Sequence, residues 1–242
     1  MSEILYRKNI LKFPLLNIFI IILISFILIT IFLRYNEFYQ KYPILTLSVT
    51  NSLLGGISNM SAQTISAIHS RLRRINSFNL KTKKVEMENI SLDNPDKSYT
   101  TFYIPSAFRF SQLIRFMSYN FLTTPIQLWW YSFLDHLSTI SRISNTAELI
   151  KRILMDQFLF TPISLTFYLV FMSLTEELSK KKLKNKFNQG FFSILKANYC
   201  IWPAVQLINF KYIPLKYQIP FLNSISIFWT IYLTICDLKT SY

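Results

Sequence analysis

Leu15–Leu33, LLNIFIIILISFILITIFL, contains no charged residue over nineteen positions, and its reading decides the fold. At 1.5 Å per residue a helix of that length nearly matches a hydrocarbon core of about 30 Å. It exceeds the apolar core of a secretory signal, and Arg34-Tyr35-Asn36-Glu37 follows where a small-residue cleavage site would lie. The stretch is therefore expected to be a retained anchor. Pro43–Ile68 is also uncharged but rich in small residues, with Ser58, Ala62 and Ser66 spaced four apart, as are Ser52 and Gly56. Such rows let helix backbones approach closely inside a bundle. Further apolar helices are expected over Phe110–Leu134, carrying Pro125, and over Ile153–Leu174, where Pro162 predicts a kink. Phe191–Leu238 is interrupted by Pro203, Pro214 and Pro220 and reads as one broken span or two short ones.

Composition agrees with a membrane protein. Of 242 residues, 51% are hydrophobic and 17% aromatic, while 16% are charged and three are glycine. Soluble domains carry about 25% charge and about 7% glycine. The net charge of +14 would suggest nucleic acid in a soluble chain, so its distribution matters. If the four clear helices alternate, one side of the membrane receives the N-terminus, the loop after the second helix and the loop after the fourth. That side collects sixteen Lys and Arg, against five on the other (Arg34, Lys41, Arg142, Lys151, Arg152). The split follows the positive-inside rule and makes the cytosol, or the matrix of an organelle of bacterial descent, the basic side. No nucleic-acid partner is expected, since no aromatic-interleaved basic patch is present. The stretch 70–101 reads as a basic polar loop, and Lys180–Lys186 as a basic connection.

The residues give no catalytic machinery, cofactor site or metal site. Gly55-Gly56 lies within an apolar helix, and no metalloprotease motif, nucleophile elbow or Cys/His cluster occurs. Cys200 and Cys236 read as packing residues, His69 and His136 as interfacial ones, and Glu176-Glu177 as a solvated turn. Asn89-Ile90-Ser91 fits a glycosylation acceptor on the non-translocated side, where it is expected to stay unmodified.

What stands out is a set of polar residues at membrane depth: Asn59, Gln63, Gln127, Asp156, Gln157, Gln206 and Asn209. Such groups face a bundle interior or a water-filled path. They read either as a solute lining or as interhelical hydrogen bonds, with Arg152 and Asp156 able to pair at i,i+4. Trp129, Trp130, Tyr131 and Trp202 are expected to anchor the interface, and Pro203 to bend its helix so that carbonyls face the path.

Several motifs resemble one known family. Trp202-Pro203-Ala204-Val205-Gln206-Leu207-Ile208-Asn209-Phe210, then Ile213-Pro214-Leu215, then Phe228-Trp229-Thr230-Ile231-Tyr232-Leu233, resemble the C-terminal signature of the Mpv-seventeen/peroxisomal membrane protein family. Trp130-Tyr131-x-x-Leu134-Asp135 resembles its W-Y-x-x-L-D motif, and Asp156-Gln157 with Pro162 its D-Q-x-x-x-x-P motif. Tyr42-Pro43-x-Leu45-Thr46, Gly55-Gly56 and Ala62-Gln63 resemble its opening region. The similarity runs from about Asn36 to Leu233, and the wording is most like fungal members. The chain departs from the pattern at Asn59 (usually Asp), at Arg109 and Gln112 (usually D-x-x-R) and at Asn120 (usually Gly).

The expected protein is thus all-α, an integral membrane bundle of four to six transmembrane helices. Residues 1–35 form a segment with the extra anchor, and 36–242 the family domain. The resemblance implies an organellar protein of the mitochondrial inner membrane, with the peroxisomal or vacuolar membrane as alternatives. It further implies a weakly selective channel for small metabolites. A non-conducting scaffold that docks partners through the 70–101 loop is the alternative. The implied partners are the lipid bilayer and small-molecule solutes, with a homo-oligomer left open.

Overall fold

The computed structural model describes residues 15–88, 108–140, 145–176 and 180–240, with backbone alone for 74–88, 138–140, 145, 180–189, 237, 239 and 240. Every element named below is helical: α1 Leu15–Leu33, α2 Tyr35–Lys41, α3 Pro43–Glu88, α4 Phe110–Ile140, α5 Asn145–Met155, a π-helical turn Asp156–Phe160, α6 Thr161–Thr175, α7 Lys180–Tyr212 and α8 Leu215–Thr240. Three stretches among the described residues, Leu15–Leu33, Thr146–Thr175 and Leu215–Cys236, are long and apolar enough to cross a membrane by length and composition.

The chain runs up and down between two ends. At one end Tyr35 Oη donates to the Lys216 carbonyl at 2.6 Å, and Arg152 meets Asp135 at 3.3 Å. At the other, Arg73 Nη2 donates to the Leu238 carbonyl at 2.6 Å, and Arg115 meets Glu176 at 3.8 Å. α1, α3, α4, the continuous α5–α6 rod, α7 and α8 therefore each run from one end to the other. α3 is the hub, packing against α1, α4 and α8, while α5, the π-turn and α6 pack against α7.

The molecule is polar inside and apolar outside. Among the described residues seventeen polar or charged residues are buried against fourteen hydrophobic ones, and large apolar side chains such as Leu33 (81% exposed), Phe26 and Phe228 point outward. Water as solvent would reverse this pattern; hydrocarbon around the bundle accounts for it. α3 carries much of that interior, with Thr46, Ser48, Thr50, Asn51, Ser58, Asn59 and Gln63 all buried. Its low apolarity follows from its enclosure by other helices.

Two expectations are corrected. The stretch 70–88 continues α3 as helix instead of forming a loop, and Lys180–Lys186 open α7 instead of preceding it. The sequence after His69 holds Arg, Leu, Lys and Glu, all good helix formers, and no Pro or Gly until Pro95. At 46 residues α3 is about 69 Å long, more than twice a hydrocarbon core, so its basic end projects beyond the membrane. Residues 89–101, the basic residues before Leu15, Arg142 and Glu177 lie outside the described residues. The last block resolves as two helices, broken at Ile213-Pro214, while Pro203 and Pro220 sit inside α7 and α8. Cys200 is exposed on α7, so it faces outward and takes no part in core packing.

α2 is latched to the α7–α8 turn. Tyr35 stacks on Tyr39 and on Tyr217 with centroids 5.8 and 5.3 Å apart, and Tyr217 Oη and Lys216 Nζ both donate to Asn36 Oδ1 at 3.0 Å. Burial, reinforced by the neighbouring Tyr39 and Tyr217, pushes Tyr35 ionisation well above the usual phenol range, so the hydroxyl stays a donor.

Close helix approach is most demanding at Gly55, where a Cβ would run into the Asn120 side chain of α4, and at Gly56, where it would meet Ile24 Cδ1 at 3.2 Å and Met117 Sδ at 3.3 Å. Gly55→Ala is expected to cost about 1–3 kcal/mol through overpacking. Adding Asn120→Gly should recover most of that loss. Thermal unfolding of the detergent-solubilised single and double variants measures both effects.

Candidate functional site

Three of the motifs quoted above meet at one buried junction. It is built on Asp156, placed inward where the helix widens by one residue. Asp156–Phe160 is a π-turn in which the backbone N–H of Thr161 reaches the Asp156 carbonyl, five residues back. The Thr161 hydroxyl also donates to that carbonyl, at 3.1 Å. Pro162, where a kink was expected, follows directly in the first turn of α6, where its missing N–H is tolerated.

The Asp156 carboxylate is 2% exposed and receives three donors from three places. Trp130 Nε1 of α4 donates to Oδ1 at 3.1 Å, while Gln206 Nε2 of α7 and Gln157 Nε2 donate to Oδ2 at 2.7 and 3.0 Å. Gln206 Nε2 also lies 3.2 Å from Tyr131 Oη, and its Oε1 accepts from Asn209 Nδ2 at 3.0 Å. A buried carboxylate needs such donors, since an unpaired charge there carries a large desolvation cost. Rings close the shell: Trp130 stacks on Phe160 at 5.4 Å, and Tyr131 meets Phe210 edge-on at 5.6 Å.

Arg152 does not pair with Asp156, as the i,i+4 spacing suggested. Its Nη1 contacts Asp135 of α4, and its guanidinium lies 4.7 Å from the Phe210 ring centroid. The inward Asp156 is already served by N–H donors, so the arginine turns to the end of the bundle. The aromatic anchors divide likewise. Trp129 is exposed, but Trp130 and Tyr131 turn inward to the junction, and Trp202 packs edge-on against Trp229 at 6.3 Å.

A second group joins α3 to α4. Gln63 Nε2 donates to Asn59 Oδ1 at 2.7 Å and to the Arg109 carbonyl at 3.2 Å, while its Oε1 accepts the Arg109 N–H at 2.7 Å. Arg109 thus contributes main chain here, and Asn59 is held without a charge. Gln127 is partly exposed and joins neither group by a hydrogen bond.

Sequence reading missed a third link. Asn51 Nδ2 donates to Thr124 Oγ1 at 3.0 Å, and Asn51, Thr124, Thr50 and, on α1, Asn17 are all almost fully buried. Asn17 is the sole strongly polar residue of an otherwise apolar anchor, which was the available signal. Thr124 and Tyr131 are seven apart and share a face of α4. Gln63–Arg109, Asn51–Thr124 and Tyr131–Gln206–Asp156 therefore form a row. It extends over 22 residues of α4 and its approach, about 33 Å, close to the thickness of a hydrocarbon core. Several atoms of these groups, Asn51 Oδ1, Asn59 Nδ2, Gln157 Oε1 and Asn209 Oδ1, have no protein partner, nor does Oγ1 of Thr50 next to Asn51. Among the described residues no group of three or more His, Cys, Asp or Glu could hold a metal ion.

An all-α bundle with apolar exterior and polar interior defines an integral membrane protein. Residues 173–234 match the model of the Mpv17 / PMP22 family. The chain is 31% identical to protein sym1 of Schizosaccharomyces pombe over 84% of its own length and 88% of the relative's. It is 28% identical to a vacuolar membrane protein of Saccharomyces cerevisiae (83% and 74% covered) and 27% identical to peroxisomal membrane protein 2 of Bos taurus (83% and 86%). The chain belongs to the Mpv17 / PMP22 family. No solved structure matches it.

Asp156→Ala would strand the Trp130, Gln157 and Gln206 donors, each at a cost of about 1–3 kcal/mol. It should therefore destabilise the protein more than Asn209→Ala, which removes one hydrogen bond, and unfolding midpoints of the two variants in detergent compare them.

Proposed function

We propose that this protein is a weakly selective channel for small metabolites in an organellar membrane, with the α3–α4–α7 polar row as its path. The observation that carries this reading is the row's run of buried polar atoms without protein partners. Buried polar groups are normally satisfied by protein or water, and atoms left over beside one another's links call for water or a solute. Asn59, Gln63, Asp156, Gln157, Gln206 and Asn209 lie on this path, with Thr50, Asn51, Thr124 and Tyr131 added; Gln127 stands apart. The resemblance favours the mitochondrial inner membrane, while relatives named for the vacuole and the peroxisome support those membranes as alternatives.

The other reading, a non-conducting scaffold, draws on the closed hydrogen bonding around the Asp156 carboxylate. There the polar groups would serve packing, each interhelical hydrogen bond contributing about 0.6 kcal/mol. In this case partners would dock on the projecting basic end of α3.

Flux of graded neutral and anionic solutes through liposomes holding the purified protein separates the two. Thr50→Val breaks no side-chain hydrogen bond, because Thr50 Oγ1 makes none. The variant should fold as well as the parent and conduct less. Gln206→Leu with Asn209→Leu should reduce flux further. Undiminished flux in folded variants would remove the lining assignment, and liposomes tight to every solute would favour the scaffold.

A further inference from the structure

Arg152 carries hydrogen-bonding capacity that the junction does not use. Its side chain is 12% exposed, and each edge of its guanidinium has a different fate. Nη1 is engaged by Asp135 at 3.3 Å, and Phe210 lies at the cation at 4.7 Å. Nε and Nη2 are buried and have no partner. These two nitrogens form the side-on fork of arginine, whose parallel N–H groups match the two oxygens of a carboxylate or phosphate. The Phe210 ring and the Asp135 contact hold the guanidinium in place in advance, which reduces the ordering cost of binding.

The location suits a solute. Asp135 is 54% exposed, so Arg152 lies where the bundle meets water, one helical turn before Asp156 and the polar row. Its charged surroundings are mixed: exposed Lys151 and Lys211 beside it, the partly buried Glu148 one turn back, and Asp135 on α4. Asp135 occupies only Nη1 and, being half exposed, forms a screened and weak pair. Asp156 carries the opposing charge, but Trp130, Gln157 and Gln206 hold its oxygens. His136, next to Asp135, is exposed.

We propose that Arg152 is the oxyanion-recognition residue at the mouth of the polar row, taking the carboxylate or phosphate of a small solute side-on through Nε and Nη2. This rests on the reading of the row as a solute path and assigns that path a substrate class. Lys keeps the charge and loses the fork, so Arg152→Lys isolates the geometry.

Two readouts test the assignment. In phosphatidylcholine liposomes, glycolate and ethylene glycol are solutes of similar size that differ in the carboxylate. Arg152→Lys should lower the glycolate-to-glycol flux ratio about tenfold, the effect of losing one hydrogen bond to a charged group. An unchanged ratio overturns the proposal. In detergent, sodium glycolate or sodium phosphate should raise the unfolding midpoint of the parent protein above that in sodium chloride of equal ionic strength. The rise should vanish in Arg152→Lys. Should that variant fail to fold, the parent decides alone, and no rise with either anion overturns the site. A midpoint raised by phosphatidylglycerol and by neither soluble anion assigns the fork to lipid and also overturns it. Tight liposomes together with an anion-dependent midpoint would retain the site and reject the channel.

Discussion

The bundle depends on keeping one carboxylate inside it. Asp156 is nearly inaccessible and draws a donor from α4, another from α7 and a third from its own neighbour, so three segments distant in sequence are tied to a single pair of oxygens. Buried as they are, these bonds face little competition from water, and none of the donors could leave without stranding itself or the charge. The π-turn makes the arrangement possible. The turn takes an added residue between Asp156 and Thr161, and Asp156 and Gln157 are both buried at its start.

The residues of this junction were legible in the sequence, while their pairing was not. Asp156, Gln157, Gln206 and Asn209 stand out because polar groups are rare in apolar runs, and their burial follows from the solvent outside. Helical periodicity offered Arg152 as the partner of Asp156, and the structure gives Arg152 to Asp135 instead. A regular wheel cannot foresee a π-turn, and the choice between a charged and a neutral donor depends on which neighbouring helix arrives. Asn51 and Thr124 escaped notice for another reason. In α3, Ser, Thr and Asn recur so often that no single one stands out against its surroundings. The end of α3 was misplaced because charge was read as loop, when the composition after His69 lacks any residue that stops a helix.

Family motifs that look like separate signatures along the chain are one structure in space. Trp130 and Tyr131, Asp156 and Gln157, and Gln206 through Phe210 come from three motifs and touch one another directly. Leu134, fully buried, packs in the core with Tyr131 and Phe210, which accounts for its place in the same pattern. The departures sit elsewhere, on the α3–α4 seam: Asn59 is paired with Gln63, and Asn120 fills the space against Gly55. The junction and the seam are thus separable parts, and the chain differs from its family's pattern in the second.

The polarity of α3 also bears on how the protein is made. A helix whose buried face is Thr, Ser, Asn and Gln gains little from entering lipid alone, whereas α1, α5–α6 and α8 are apolar enough to partition on their own. α3 packs extensively on α8, the most C-terminal of the described helices, which is synthesised after all the others. During translation α3 must therefore wait, held by the insertion machinery or lying half-covered between α1 and α4. The stable insertion of α3 is then set by a helix made well after it, since α8 supplies a large part of the surface that covers its polar face.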